Sequence, residues 1–297
     1  MKDYSIVLTA LFLRMRTGDA VLAKRYWPEV LGLLRREEAD AVSAAAKFRR
    51  AGWWEAATLL ELSDRVDHAD HLVRRGLVQT IVDEGYPRRW AQSLGRAAPA
   101  AIWVKGHGAV SPRSGSAAVV GSRRVSDEVW NFAYEAGQAA ACQGMLLVSG
   151  GAAGCDMGAE RGALSRHGSV LRIIATGIDL AEVPRTGVRV VSVCAPQEIF
   201  STAAAMERNA LIYAAAERAL VVEGRFRVGG TWHGASGALR RRLTTFYHRN
   251  SAEAWANALK AMGSTPVQEP GEFLQGPTRP EEPTLLPRAD ALPFIGV

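Results

Sequence analysis

Short continuous apolar runs along this chain alternate with stretches of helical spacing, and the changes between them mark its elements. Val119-Val120 and residues 145–148, 170–175, 188–193 and 220–222 are short, continuous apolar runs, several of them β-branched. Runs of that length, ending in small or polar residues, predict buried parallel strands. Between the first two, Val129, Phe132, Ala133, Ala136 and Ala140 recur at helical spacing behind Ser126-Asp127-Glu128, an N-cap with an acidic first turn. Helices are likewise predicted from about Asp156, over residues 201–216 and over residues 232–242. Strand, turn, helix repeated in this way predicts an α/β fold with a doubly wound, mostly parallel sheet, closed by a last strand near residues 243–247.

Outside that region the pattern differs. Residues 1–82 read as a small helical N-terminal domain. Ile6, Leu8, Leu11, Phe12 and Met15 form one apolar face, and Tyr26, Trp27, Val30, Leu31 and Leu34 a second. Two further helices meet at Ala51-Gly52, and the last stops at Gly76. Trp53 and Trp54 read as core anchors, with base stacking as the alternative. The basic pairs Arg35-Arg36, Arg49-Arg50 and Arg74-Arg75 read as a solvated face. Residues 83–112 are a lead-in or linker, 113–250 the α/β domain, and 251–263 a short helix. The proline-rich stretch 264–297 is expected to be an extended or disordered tail.

Candidate chemistry gathers where the strands end. Gly121-Ser122-Arg123, the turn Ser149-Gly150-Gly151-Ala152-Ala153-Gly154, Arg208-Asn209 and Gly229-Gly230-Thr231 are expected to converge on the C-terminal edge of the sheet, where such folds bind ligands. Glycine lets backbone amides approach a ligand, and the helix that follows adds the positive end of its dipole. Arg123 and Arg208 supply forked donors, Asn209 can bond sugar or base, and Ser122, Ser149 and Thr231 add hydroxyls. Together these residues predict a cradle for phosphates. The bland alternative is that the small residues only allow close packing, and that Arg208-Asn209 is an internal clamp between helix and loop. Asp156 reads as a structural acid bonding turn amides. Neither G-x-G-x-x-G nor a Walker A sequence occurs, and no catalytic residue, metal ligand or cofactor is assigned.

Composition narrows the partner. The 297 residues carry a formal net charge of +6, with a pI near 9.5, which favours an anionic partner. Cys142, Cys155 and Cys194 are too scattered for a disulfide framework or a zinc site. With no run of about 18 apolar residues, and an acid in Met1-Lys2-Asp3-Tyr4, the expectation is a cytoplasmic protein without membrane association.

Four segments in order, VVGSRRVS, LLVSGGAAGCDMGAERGAL, ERNALIYAAAERALVVEG and GGTWHGASGAL, resemble the DNA-processing protein A (DprA/Smf) family. The resemblance spans residues 85–246. It implies a Rossmann-like core, binding of single-stranded DNA, a homodimer, and a RecA-type recombinase as partner. Ala153, Glu160 and Ala210 stand where the family pattern has basic residues, so each removes positive charge from the expected phosphate site. Ser149-Gly150-Gly151 with Met157-Gly158-Ala159 also looks like the LOG-type nucleoside-monophosphate phosphoribohydrolases. In that second reading Glu160 or Glu223 would polarise the ribose while Arg208 holds the phosphate. A non-catalytic DNA-binding protein acting in processing, recombination, uptake or defence is the favoured function.

Overall fold

The computed structural model describes residues 2–34, 40–106, 115–182 and 185–276. Arg35-Arg36 and residues 277–297 of the expected tail lie outside them. The chain starts with α1 (Lys2–Phe12), α2 (Trp27–Leu34), α3 (Ala41–Arg50), α4 (Trp54–Glu61) and α5 (Ser63–Arg74). Asp40 caps α3 by accepting from the Ser43 amide at 2.8 Å. The apolar faces read from the pattern form one core, with Val7, Leu8, Leu11, Val30, Leu34 and Phe48 fully buried. Of the two tryptophans, only Trp53 is packed against the core. Trp53 stacks on Phe48 at 6.2 Å and meets Tyr26 edge-on at 5.6 Å, whereas Trp54 is 61% exposed beneath the Arg49 guanidinium.

Over residues 83–106 the expected lead-in or linker is folded against the main sheet, and residues 107–112 of it lie outside the described residues. β1 (Val78–Thr80), α6 (Arg88–Leu94) and β2 (Ala101–Lys105) belong to the main sheet, with Val78 opposite Trp103 and Trp103 opposite Ser192. Tyr86 and Trp90 explain this departure from the sequence expectation. Both are fully buried, and the Trp90 indole donates to the Leu211 carbonyl at 2.7 Å, so the lead-in is pinned by large apolar side chains.

The remaining elements alternate as predicted. They are β3 (Ser116–Val120), α7 (Asp127–Cys142), β4 (Leu146–Ser149), α8 (Cys155–Ser165), β5 (Val170–Ile173), β6 (Val188–Ser192), α9 (Thr202–Ala215), β7 (Arg218–Val221), α10 (Gly229–Arg240), β8 (Thr245–Arg249), α11 (Ala254–Ala261) and β9 (Thr265–Val267). The sheet runs β1-β2-β6-β5-β4-β3-β7-β8-β9, parallel from β6 to β9, with β2 antiparallel to β6. It is a Rossmann-like α/β core with a helical N-terminal region. The order reverses between β3 and β7, which opens a crevice at their C-terminal ends.

The expected tail is corrected over its first part. Thr265 to Val267 pair with β8, and Phe273 and Leu274 are buried against the sheet. Nη1 of Arg218 donates to the Leu274 carbonyl at 2.7 Å and holds the segment down. Proline density suggested a tail, but an edge strand tolerates Pro266, and the apolar residues between the prolines have a surface to cover. The three cysteines are free, and no described helix is long and apolar enough to cross a membrane.

Close packing accounts for some glycines of the motif. A Cβ at Gly162 would come within 1.9 Å of the Tyr134 carbonyl, and one at Gly137 within 2.0 Å of that of Ala159. Backbone therefore meets backbone where α7 crosses α8. Gly162→Ala is expected to destabilise the protein by about 1–3 kcal/mol in urea unfolding. Gly237→Ala, in α10 with nothing within 4 Å of the added carbon, is expected to be neutral or stabilising. Equal effects at the two positions would contradict this packing account.

Candidate functional site

A cavity of about 820 Å³ occupies the crevice between the C-terminal ends of β3 and β7. Its walls come from the turn after β3, the start of α8, one side of α9 from Thr202 to Tyr213, the loop after β7 and the first turn of α10. Of the residues singled out in the sequence, Gly121, Ser122, Arg123, Arg208, Asn209, Gly229, Gly230 and Thr231 all line it. Ser149, Gly150, Gly151 and Gly154 do not, and Ala152 alone represents their turn.

Hydrogen bonding explains the exclusion. The Gly150 amide donates to Oδ2 of Asp156 at 3.2 Å, and the amides of Ala152 and Gly121 also serve this carboxylate. Ser149 is fully buried, and its hydroxyl accepts from the Gly151 amide at 3.0 Å. The Gly150 and Ala152 amides of this turn are thus satisfied by an anion of the protein itself, and the Gly151 amide by the Ser149 hydroxyl. Helix geometry makes this natural, because a carboxylate in the first turn of α8 meets the same donors and dipole that a phosphate would. Gly154 lets the turn close, with φ of 79° and only 2.3 Å between a hypothetical Cβ and the Ser122 carbonyl oxygen.

The other turns are tied to one another. Ser122 receives the Cys155 amide on its carbonyl at 3.2 Å and gives its own amide to Glu223 at 3.1 Å. Thr231 donates its hydroxyl to the Gly121 carbonyl at 3.0 Å, and Nδ2 of Asn209 donates to Gly230 at 3.2 Å. So the Thr231 hydroxyl and the Asn209 amide, read from the sequence as ligand donors, brace the walls.

Arg208 is an internal clamp that also lines the cavity. It is 7% exposed, and its Nη1 donates to the Ile173 carbonyl at 3.0 Å, which is the internal clamp. Its Nε has no partner, although the residue lines the cavity. Gly150 makes room for it, since a Cβ there would lie 1.9 Å from Nη1. Burial lowers the pKa of Arg208, while the charge of Asp156 opposes that shift. Arg123 is exposed and reaches over the Phe200 ring at 5.8 Å. Arg124 and Arg225 also line the cavity, and sequence reasoning passed over both. Each stands beside a motif, after Gly-Ser-Arg and after the Glu223-Gly224 strand end, and that adjacency was the available signal. Arg123, Arg124 and Arg225 make no ion pair among the described residues.

The acids are differently placed. Glu160 is buried, lies outside the lining, and accepts from Nε of Arg172 at 3.1 Å. Glu223 lines the cavity, but Arg249 holds it at 2.9 Å. Among the described residues no group of three or more His, Cys, Asp or Glu side chains could hold a metal ion.

Residues 77–274 match the sequence profile of the DNA recombination-mediator protein A family. The chain belongs to this family. Two solved members share the fold. DNA processing protein A from Streptococcus pneumoniae is 18% identical, with a TM-score of 0.60 over 86% of this chain and 97% of that one. The Helicobacter pylori protein, whose structure was described for its single-stranded DNA binding mode, is 17% identical, with a TM-score of 0.57 over 67% of this chain and 94% of that one. No curated protein sequence is a significant match. Membership makes this a protein of the DNA-processing class.

The buried acid has a measurable signature. Burial pushes the Asp156 carboxyl up to about 6, against the opposing charge of Arg208 and the turn amides. An unfolded aspartate titrates near ~3.9. Between these values the folded state holds a proton that the unfolded state has lost, so stability from this group falls as pH rises from about 4 to 6. Asp156→Asn is expected to remove that downward slope in unfolding free energies measured across the range. An unchanged slope would show that Asp156 is not the group responsible.

Proposed function

We propose that the cavity binds single-stranded DNA, and that the protein is a non-catalytic DNA-binding member of the family acting in recombination, uptake or defence. The observation that carries this is the set of arginines Arg123, Arg124 and Arg225, which have no ion pair among the described residues, around an open crevice at the switch point of the sheet. Exposed guanidinium groups without carboxylate partners are suited to phosphates. Arg208 adds a buried positive charge behind them, and the net charge of +6 is consistent with an anionic partner. Gly121, Ser122, Gly229 and Gly230 shape the walls close to the strand's path, with Asn209 and Thr231 bracing them. Ser149, Gly150, Gly151 and Gly154 support the site from behind, through Asp156 and Arg208. The described binding mode of the Helicobacter pylori protein is to single strands, which favours the same ligand here. A homodimer that hands the strand to a RecA-type recombinase completes the proposal. The acidic substitution at Glu160 weighs little against it, because Arg172 neutralises that charge away from the cavity.

Binding is expected at micromolar or tighter affinity, with single strands preferred over duplex and affinity falling steeply with salt. Arg123→Ala is expected to weaken binding several-fold and to reduce the salt slope by about 1. Equal affinity for duplex and single strands, or no salt dependence, would sink the proposal.

A hydrolase acting on nucleoside monophosphates needs a carboxylate at the ligand, and of the two acids the sequence offered for that role Glu223 is the one that lines the cavity. Glu223→Gln is expected to leave DNA binding unchanged or slightly stronger, because a like charge near the phosphates disappears. Release of free base from AMP should stay at background in the unmodified protein. Turnover that the Gln variant loses would transfer the site to the hydrolase class.

A further inference from the structure

Just beyond the cavity, the loop between β7 and α10 forms a tight turn. The Val228 amide donates to the Arg225 carbonyl at 3.1 Å, closing a four-residue turn with Phe226 and Arg227 at its tip. Arg227 has φ of 58°, in a region that turns ordinarily give to glycine. A bulky residue held there indicates a turn constrained by its surroundings. Trp232, 7% exposed, supplies the constraint: its ring meets Phe226 edge to face, with centroids 5.0 Å apart and planes at 73°. The contact holds the Phe226 ring while the residue stays 40% exposed. Arg227 lays its guanidinium over the ring at 5.0 Å. An exposed contact of that kind is weak and readily exchanged.

We infer that Phe226 is a stacking platform for one unpaired base of a strand whose phosphates lie on Arg225 and its neighbours in the cavity. The inference rests on the DNA-binding reading above and deepens it, by adding a base subsite that the cavity does not contain. Arg225 lines the cavity and Phe226 follows it in the chain, so a strand leaving the cavity along this wall passes the ring. Stacking on a fixed aromatic face accepts any base but requires that it be unpaired, so the platform selects single strands without selecting sequence. Arg227 then yields its place over the ring to the base and turns to the adjacent phosphate.

A ring that merely covers Trp232 would be replaceable by any apolar side chain, and this separates the two roles. The test is binding of fluorescent oligothymidylate, and of the same oligonucleotide with a single abasic site moved along it. The proteins are the unmodified chain, Phe226→Leu and Phe226→Trp. Phe226→Leu is expected to lose roughly five-fold or more in affinity, with the salt slope and the melting temperature unchanged. Phe226→Trp is expected to bind at least as well as the unmodified chain. One abasic position should weaken the unmodified protein by a similar factor and leave Phe226→Leu indifferent. Phe226→Leu binding like the unmodified chain, or the same abasic profile in both, overturns the platform while leaving the DNA-binding reading intact. Failure of the unmodified protein to bind any single strand overturns that reading itself.

Discussion

A carboxylate sits where an incoming anion would be expected, and the cavity depends on it. Asp156 takes the Gly150 amide and those of Ala152 and Gly121, so it joins the ends of β3 and β4 at the start of α8. A buried charge is costly unless donors and an opposite charge surround it. Arg208 brings that charge from α9, and the absence of a side chain at Gly150 makes its position possible. Three separate segments of chain are thus held in one arrangement. The result is a rigid floor, with the groups left free for a ligand displaced outward to the rim.

That displacement changes the character of the site. A glycine turn over a helix N-terminus would grip one phosphate through amides. Here the amides of the turn before α8 are engaged, and the rim carries guanidinium groups and aromatic rings: Arg123 with Phe200 on one side, Arg225 and Phe226 on the other. Charges and flat apolar faces distributed over an open crevice suit an extended polyanion with unpaired bases better than a compact nucleotide. The same redistribution removes Glu160 from contention as a reacting group, since Arg172 holds it outside the lining.

The helical N-terminal region is tied to the core through the sheet. β1 and β2 extend the parallel strands beyond β6, and Tyr86 and Trp90 bury the lead-in beneath α9. At the other end, Phe273 and Leu274 dock under the grip of Arg218 on their carbonyls. Large apolar side chains on short segments do this at both edges, covering surface that would otherwise face water.

What the sequence determined by itself was local and periodic. The change from short continuous apolar runs to period 3.6, the runs ending in glycine, and the order of the motifs were enough for the α/β class, for the strands from β3 to β8, and for the family. They were also enough to bring Gly121, Arg123, Arg208, Asn209 and Gly229 to one edge, because each turn follows directly from the element before it. Composition misled where a few apolar residues outweighed their neighbours, as in the proline-rich segment that pairs as β9. The direction in which each polar group points was decided only by tertiary structure. An amide at Gly150, a hydroxyl on Thr231 or a guanidinium on Arg208 bonds whichever partner the fold brings within about 3 Å, and those partners lie far away in the chain or on the next turn of a helix. Spacing in sequence carries no trace of that competition, so which donors belong to the protein and which to its ligand became visible only when the turns were packed against one another.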